Sequence, residues 1–270
     1  MGIRVGVFGA GGRMGATVCR AVAADDELEL VAAVDPSYAG LDLRQVAGGE
    51  PGGLQVASDA SELNRAGAEV AVDFTQVDAA MANATWCAGA GVHAVIGTSG
   101  FGPEQLAALG EQFSGPGRPN CALVPNFAIG AVLAMRFAEL AAPWFETAEI
   151  IELHHDGKVD APSGTALATA ERMGAAREAS GRPWAEDPTR DVNLAGARGG
   201  RHSLGVHIHS LRLRGVVAHH EIILGTAGQT LTIRHDSYDR ESFMPGVMLA
   251  VKAVGGAPGL TVGLDALLGL

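Results

Sequence analysis

Short apolar runs alternate with longer alanine-rich segments through the first half of the chain. The runs have the length and the β-branched content of strands, and the segments between them are long enough for helices. This alternation predicts repeated βαβ units, and therefore a Rossmann-type doubly wound α/β domain around a parallel sheet. The predicted strands are IRVGVF (3–8), LELVAAV (28–34), EVAVDF (69–74), HAVIGT (93–98) and CALVP (121–125), and the predicted helices are GRMGATVCRAVAA (12–24), DAAMANATWCAGA (78–90) and PEQLAALGEQF (103–113).

The pattern changes after a predicted helix over 129–142. Four strand-like runs follow with few helices between them, at 147–155, 205–213, 216–224 and 229–235. They predict a mixed or mostly antiparallel sheet, with one helix from about Thr165 to Ala179 on a face, in an α+β substrate-binding and oligomerisation domain. Residues 181–201 are predicted to form a long surface loop.

Two domains are expected. The dinucleotide-binding domain is predicted at 1–127 and the second domain at 128–239. The segment 240–256 has helical periodicity, so that 240–270 is expected to return to the first domain and complete it.

The composition of the chain limits the classes of partner that it could bind. With 270 residues, a formal net charge of −11 and a pI near 5.2, the chain lacks the basic face that nucleic acid or an anionic membrane requires. No apolar run approaches the roughly 18 residues of a membrane span, and the apolar start runs straight into glycines, so we expect a cytoplasmic protein with a small-molecule ligand. Cys19, Cys87 and Cys121 are widely spaced and are expected to be core thiols.

A glycine-rich turn follows the first predicted strand. Gly9, Gly12 and Gly15 form a GxxGxxG spacing at a strand-to-helix junction, where glycine lets the backbone approach a pyrophosphate closely. Asp35 ends the next strand, 20 residues after Gly15, where a carboxylate can accept hydrogen bonds from ribose hydroxyls. Dinucleotide binding is therefore predicted; an ordinary βα turn with a surface aspartate is the alternative.

The residues around Asp35 bear on the choice of cofactor. Its charge would repel a 2′-phosphate, and the following Pro36, Ser37 and Tyr38 supply no cation, so NADH is the first choice. Arg13 lies in the glycine turn and keeps NADPH open. The segments DFT, GTSG and PNF stand at the ends of later strands and are expected to form the nicotinamide pocket.

The segment ELHHDGKVDAPSGTA (152–166) combines groups that transfer protons with groups that bind anions. His154 and His155 precede an Asp-Gly turn signal, Lys158 follows on the loop, and Ser163-Gly164-Thr165 stands where the next helix begins. A helix N-terminus beside a lysine suits a carboxylate. The alternative is a solvated turn in which Ser163 or Asp160 caps the helix and the histidines pack at a strand end.

Other histidine pairs carry less information. The HIH (207–209) and HHE (219–221) segments have no carboxylate or cysteine at matching spacing, so no metal is predicted and they are expected to be surface or interface histidines.

The glycine turn together with HHxxKxDAPSGTA, VDFT, GTSG, PNFAIG, LRLRGVVAHHEIILGTAGQTLTIRH and YDRESF resembles the dihydrodipicolinate reductase (4-hydroxy-tetrahydrodipicolinate reductase) family of lysine and diaminopimelate synthesis, nearly end to end. The resemblance implies that His154 is the acid/base and Lys158 a proton donor. It implies further that a cyclic dicarboxylate substrate is bound by His155, Ser163, Gly164 and Thr165, with Arg240 as a looser match. The implied cofactor residues are Gly9, Ala10, Gly11, Gly12, Arg13, Met14, Asp35, Gly97, Thr98, Ser99, Val124, Pro125, Asn126 and Phe127.

The resemblance also implies loss of the 4-hydroxyl as water, reduction by NADH or NADPH, and a homotetramer assembled through the second sheet. Some members of the family carry an arginine after the ribose-binding acid, and Pro36 stands there in this chain. Two alternatives remain: a related amino-acid dehydrogenase acting on aspartate or homoserine, and a dinucleotide-sensing protein without turnover.

Overall fold

The computed structural model describes residues 2–49 and 53–270. The chain forms two compact units: unit 1 comprises Met1–Ile129 and Phe243–Leu270, and unit 2 comprises Gly130–Ser242. That one unit serves the cofactor and the other the substrate stays a prediction.

The helices and strands follow in chain order. The first part contains β1 (Ile3–Phe8), α1 (Arg13–Ala23), β2 (Leu28–Val34), α2 (Leu43–Ala47), α3 (Ser61–Arg65), β3 (Val70–Asp73), α4 (Val77–Ala90), β4 (His93–Ile96), α5 (Pro103–Gln112), β5 (Cys121–Leu123) and α6 (Ile129–Ala141). The middle part contains β6 (Thr147–His154), α7 (Gly164–Ala179), β7 (Gly200–Arg201), β8 (His207–Arg212), β9 (Ala218–Thr226) and β10 (Gln229–Ser237). The last part contains α8 (Met244–Ala253), β11 (Leu260–Val262) and α9 (Asp265–Leu268).

Unit 1 is built on a parallel sheet of six strands in the order β11-β5-β4-β3-β1-β2. Every residue of β3 and β5 is buried, as expected for strands that are covered by helices on both faces. Leu63, Leu109 and Phe113, from the helical layers, pack into this core. The doubly wound prediction is confirmed.

The strand order places β1 between β2 and β3, so the connections that leave β1 and β2 run to opposite sides of β1. Ligands of open α/β sheets bind at such a reversal, beyond the carboxyl ends of the strands. The glycine turn follows β1 and therefore lies at the reversal.

Unit 2 is built on a mixed sheet of five strands in the order β10-β9-β6-β8-β7. The central strand β6 pairs antiparallel with β9 and parallel with β8, which confirms the predicted mixed sheet. Helix α7 covers one face, where Ala166, Ala170 and Met173 join a core that includes Ile150 and Ile222.

Side chains alternate strictly along β6. Ala148, Ile150 and Glu152 are buried on the face that packs against α7, whereas Glu149 and Ile151 lie on the other face and are only partly buried. A carboxylate therefore occupies a core position next to the end of the strand.

Short elements were not predicted: the helices α2, α3 and α9 have four or five residues, and the strand β11 has three. The predicted loop over 181–201 was wrong at its end, because Gly200–Arg201 pairs with β8 as β7. The three cysteines are free and buried, and burial raises the pKa of Cys19 and of Cys121 to about 12, so the core-thiol prediction is confirmed. Among the described residues, no helix has both the length and the apolar character needed to cross a bilayer.

Candidate functional site

The glycine turn of unit 1 is held tightly between β1 and α1. Gly9 has a φ of +67°, a conformation that favours glycine, and its amide donates to Val34 O at 2.8 Å. Helix α1 begins so close to this turn that a Cβ on Gly15 would lie 2.0 Å from Gly9 O. The spacing of Gly9 and Gly15 therefore brings the helix N-terminus against the backbone turn.

The N-terminus of α1 is suited to a phosphate. Its N-cap residue is Gly12, which has no side chain to occupy the first amides, and the first turn contains no acidic residue. The exposed Arg13 adds a positive charge at the same place, and Met14 follows it partly buried. Free amides, the helix dipole and a guanidinium together favour a pyrophosphate.

Asp35 ties the end of β2 to the glycine turn. One carboxylate oxygen accepts the Gly11 amide hydrogen at 3.0 Å and the other accepts that of Ser37 at 3.0 Å. The ring of Tyr38 packs directly on Gly11, where a Cβ would come within 2.1 Å of it. An ionised carboxylate has about four acceptor positions, so Asp35 retains capacity for the hydroxyls of a ribose.

The loops after β3 and β4 are joined by hydrogen bonds at the same sheet edge. The buried Asp73 accepts from the amide and the hydroxyl of Thr75, at 2.7 and 2.6 Å. The Thr98 hydroxyl donates to Thr75 O at 2.7 Å, and the Gly97 amide donates to Asp73 O at 2.8 Å, while Ser99 is exposed. The structure thus brings the DFT and GTSG segments together.

The PNF segment follows β5. Val124 and Phe127 are buried, so their side chains belong to the core and only their backbone could meet a ligand. Pro125 is exposed, and Asn126 accepts the Ala128 amide hydrogen at 2.9 Å through its side chain.

In unit 2, the strand β6 ends at His154 and the chain turns at once. His155 is exposed, and the amide of Lys158 donates to its carbonyl at 3.2 Å, which closes the turn through Asp156-Gly157. The Lys158 ammonium lies 2.8 and 2.9 Å from the two carboxylate oxygens of Asp160. Histidine and lysine therefore lie on one short loop.

Helix α7 begins directly after this loop. Ser163 is its N-cap: the buried hydroxyl accepts the Ala166 amide hydrogen at 3.3 Å. Gly164, which is exposed, and Thr165, which is partly buried, form the first turn. Ser163 thus has the capping role weighed from the sequence, and its backbone amide and carbonyl are both engaged, by Glu152 Oε1 at 3.2 Å and by the Leu167 amide at 3.0 Å.

His154 is held by two residues that were not predicted to belong to the site. Its Nδ1 lies 2.5 Å from an oxygen of Glu152, a fully buried carboxylate, and Arg212 forms two hydrogen bonds of 2.9 Å with the same carboxylate. Burial lowers the pKa of His154, and Lys158 and Arg212 lower it further against the opposing effect of Glu152. His154 is therefore neutral near pH 7.

Glu152 and His154 lie two residues apart, a spacing that places both side chains on the same face of a strand. Their contact could therefore have been predicted from the sequence. Arg212 lies 60 residues further on and only the register of β6 with β8, which pairs His154 with Arg212, brings it there.

The prediction of surface or interface histidines in the HIH and HHE segments was wrong for His207, His219 and His220, which are buried. Three histidines of these segments have partners within the sheet or on α7. His209 contacts Glu149, His219 contacts Asp236, and the buried His220 contacts Thr169 at 3.1 Å. No group of three or more His, Cys, Asp or Glu that could hold a metal occurs within residues 2–49 and 53–270. Arg240 begins a 3-10 helix, Arg240–Phe243, and is exposed.

Comparison with known proteins covers both units. The family model for the N-terminus of dihydrodipicolinate reductase matches residues 3–127, and that for its C-terminus matches residues 130–268. The 4-hydroxy-tetrahydrodipicolinate reductase of Cutibacterium acnes is 50% identical over 268 residues, 99% of each chain, and that of Nocardia farcinica is 48% identical over 271 residues, 100% of each chain. The dipicolinate-bound dihydrodipicolinate reductase of Paenisporosarcina sp. TG-14 superposes with a TM-score of 0.84 at 38% identity, covering 98% of this chain and 99% of the other.

Proposed function

Because this chain belongs to the dihydrodipicolinate reductase family, we propose that it reduces 4-hydroxy-tetrahydrodipicolinate to tetrahydrodipicolinate, with loss of water, in lysine and diaminopimelate biosynthesis. The observation that carries the proposal is the segment 152–166, in which His154, Lys158 and the N-terminus of α7 follow one another within one strand, turn and helix.

The reductant is a nicotinamide dinucleotide, and the chain's own residues fit one. The turn from Gly9 to Gly12 leaves a cradle beside the N-terminus of α1, and Asp35 offers acceptors to a ribose. When bound, the nicotinamide supplies the hydride. We assign NADH as the preferred cofactor, because Asp35 would repel a 2′-phosphate and no cation follows it at 36–38. Arg13 is the residue through which NADPH could also be used.

The substrate is a cyclic dicarboxylate. One of its carboxylates is assigned to the start of α7 at Gly164 and Thr165, where the N-terminus of a 16-residue helix favours an anion. His155 and Lys158 supply further donors from the adjoining loop, and Arg240 is the weakest of the assigned residues. This arrangement aligns the ring and neutralises its charge.

The proton chemistry is assigned to His154 and Lys158. After the 4-hydroxyl leaves as water, hydride adds to the conjugated imine and a proton completes the reduction; these two residues are the available donors. The neutral His154 at pH 7 can also accept a proton from, or pass one to, a water molecule.

A homotetramer assembled through the sheet of unit 2 is part of the proposal. The strand β10 forms one edge of this sheet and is largely exposed, and proteins commonly cover such an edge by association of subunits. A cytoplasmic location stays a prediction.

The test is a coupled assay. A dihydrodipicolinate synthase makes the substrate in place from pyruvate and aspartate semialdehyde, and oxidation of NADH or NADPH is followed at 340 nm. We expect rapid oxidation that requires both the synthase and this protein. Oxidation of the cofactor with aspartate semialdehyde alone would favour the dehydrogenase alternative, and cofactor binding without oxidation by any of these substrates would favour the sensing alternative.

A further inference from the structure

Glu152 is a charged residue in a core position. It has 0% exposure and occupies the same face of β6 as Ile150, which packs beneath helix α7. Removing a carboxylate from water is strongly unfavourable unless partners replace the lost hydration. The contacts of Glu152 must therefore compensate for the hydration that its carboxylate has lost.

Those contacts supply donors to both carboxylate oxygens. Arg212 forms one hydrogen bond with each, and the Ser163 amide donates to Oε1 at 3.2 Å. Although burial alone would raise it, these hydrogen bonds bring the pKa of Glu152 down to about 2, so the carboxylate is ionised throughout the neutral range.

The ionised state of Glu152 determines which nitrogen of His154 carries hydrogen. An ionised carboxylate can only accept hydrogen bonds, and the atom of His154 next to it is Nδ1, at 2.5 Å. Nδ1 must therefore be the protonated nitrogen of the neutral ring. Nε2 is left with its lone pair and becomes the nitrogen that gains and loses a proton.

We propose that Glu152, held by Arg212, is the positioning residue that fixes His154 in the Nδ1–H tautomer and in one orientation for proton transfer through Nε2. The catalytic part of this proposal rests on the function proposed above; the tautomer does not. A purely structural role, in which Glu152 only joins Arg212 to the start of α7, is the competing explanation.

Glu152→Gln distinguishes the two explanations. The amide oxygen is expected to take the Oε1 position, because Arg212 Nη2 and the Ser163 amide both donate there, while the Arg212 Nη1 hydrogen bond to the other position is lost. The amide NH₂ then faces His154 Nδ1. Because an NH₂ group donates, Nδ1 must accept and cannot carry hydrogen, so the variant should favour the Nε2–H tautomer. Histidine-labelled protein, measured without substrate by long-range ¹H–¹⁵N NMR, reports the tautomer directly.

The kinetic result expected for Glu152→Gln is a loss of kcat of about 100-fold, within the usual contribution of a general acid or base, with KM little changed. The groups that act electrostatically on His154 are Glu152, Lys158 and Arg212, and His220 on β9 interacts with it also. Because Glu152 is the one that raises the pKa of His154, its removal should move the His154 limb of the pH profile to lower pH.

Glu149→Gln is the matched control. Glu149 lies on the same strand but on its other face, and it contacts a histidine and an arginine in the same way, His209 at 2.5 Å and Arg198 at 2.6 Å. We expect this control to leave both the His154 tautomer and the position of the pH limb as in the parent protein. Arg212→Lys keeps the charge but not the paired hydrogen bonds. Glu152 remains an acceptor in this variant, so we expect the Nδ1–H tautomer to persist while kcat falls, because His154 is held less firmly.

A folded Glu152→Gln protein that keeps the Nδ1–H tautomer and the parental pH profile would overturn the proposal, even if it were less stable. If the parent protein fails to reduce the substrate but its His154 tautomer depends on Glu152, the proposed function is wrong and the positioning role stands. If Glu152→Gln does not fold, the spectrum of the parent protein decides: an Nε2–H tautomer of His154 there would overturn the proposal.

Discussion

Lys158 and Asp160 form an ion pair within one loop, with Nζ 2.8 Å from the nearer carboxylate oxygen. The pair is partly exposed, and such pairs contribute little to stability, about 0 to 1 kcal/mol. An anionic substrate can therefore displace Asp160 from Lys158 at small cost. Asp160 thus sets how readily the ammonium becomes available.

Asp160→Asn should release Lys158. We expect KM for the substrate to fall by about threefold, because the substrate carboxylate no longer competes with a charged side chain for the ammonium. The thermal unfolding temperature should be almost unchanged. Steady-state kinetics with the coupled assay provides the measurement, and a rise in KM would show instead that Asp160 orients Lys158 productively.

Lys158→Ala should reduce kcat by about 100-fold or more while NADH binding remains nearly intact, because the lysine belongs to unit 2 and the predicted dinucleotide cradle to unit 1. Binding is measured by the fluorescence of NADH. Lys252→Ala is the control, since Lys252 pairs with Asp25 and Glu27 in unit 1. Equal loss of turnover and of NADH binding in Lys158→Ala would indicate a folding defect.

Gly15→Ala should weaken dinucleotide binding by about tenfold or more and destabilise unit 1 by several kcal/mol. Its methyl group would lie 2.0 Å from Gly9 O, a backbone atom that cannot move without displacing the turn. Calorimetric titration with NADH and urea unfolding measure the two effects. Gly110→Ala, in the last turn of α5 with open space at its Cβ, should instead be neutral or slightly stabilising.

Asp35→Ser should raise the ratio of kcat/KM for NADPH over NADH by about tenfold, an effect of roughly 1.4 kcal/mol. In the proposed binding mode, the substitution removes the charge that opposes a 2′-phosphate and an acceptor assigned to a ribose. The assay is the same oxidation at 340 nm with each cofactor. An unchanged ratio would mean that Arg13, or another group, decides the preference.

His220 should make the protein sensitive to mild acid. Burial lowers its pKa from 6.5 to about 4. Below pH 6.5 this histidine is protonated in the unfolded chain, whereas in the folded chain it stays neutral down to about pH 4. The free energy of unfolding therefore falls progressively between pH 6.5 and about pH 4. At pH 5 the loss is about 2 kcal/mol.

His220→Gln should therefore show a smaller fall in the free energy of unfolding between pH 7 and pH 5 than the parent protein, as measured by urea titration at both values. Gln can still bond to the Thr169 hydroxyl that His220 contacts at 3.1 Å. The same fall in both proteins would place the acid sensitivity elsewhere.

The extent of prediction differed between the two sites. The glycine turn was recognisable because its backbone conformation requires glycine at positions 9 and 15. Both positions lie within one short segment of the sequence. Likewise the Asp156-Gly157 turn after His154 followed from local turn chemistry. What could not be predicted was the pairing of Glu152 with Arg212, because it depends on which strand lies beside β6 and in what register.

Secondary structure, too, was predictable where the signal is local and extended, and not where it is short. Long periodic segments such as α6 and β9 were found, whereas α2, α3 and β11 were missed because three to five residues carry too little periodicity to detect. The pairing of β11 with β5 is, moreover, a contact between residues that are far apart in the chain.

That pairing has a consequence for synthesis. The buried Asn120 bonds through its side chain to Val254 O, Gly255 O and the Gly259 amide, and β11 then completes the edge of the sheet beside β5. The ribosome makes Gly259 139 residues after Asn120, which at 5 to 20 residues per second is a delay of roughly 7 to 28 s. For that time the nascent sheet has an open edge at β5, so chaperone binding or self-association of stalled chains should concentrate there.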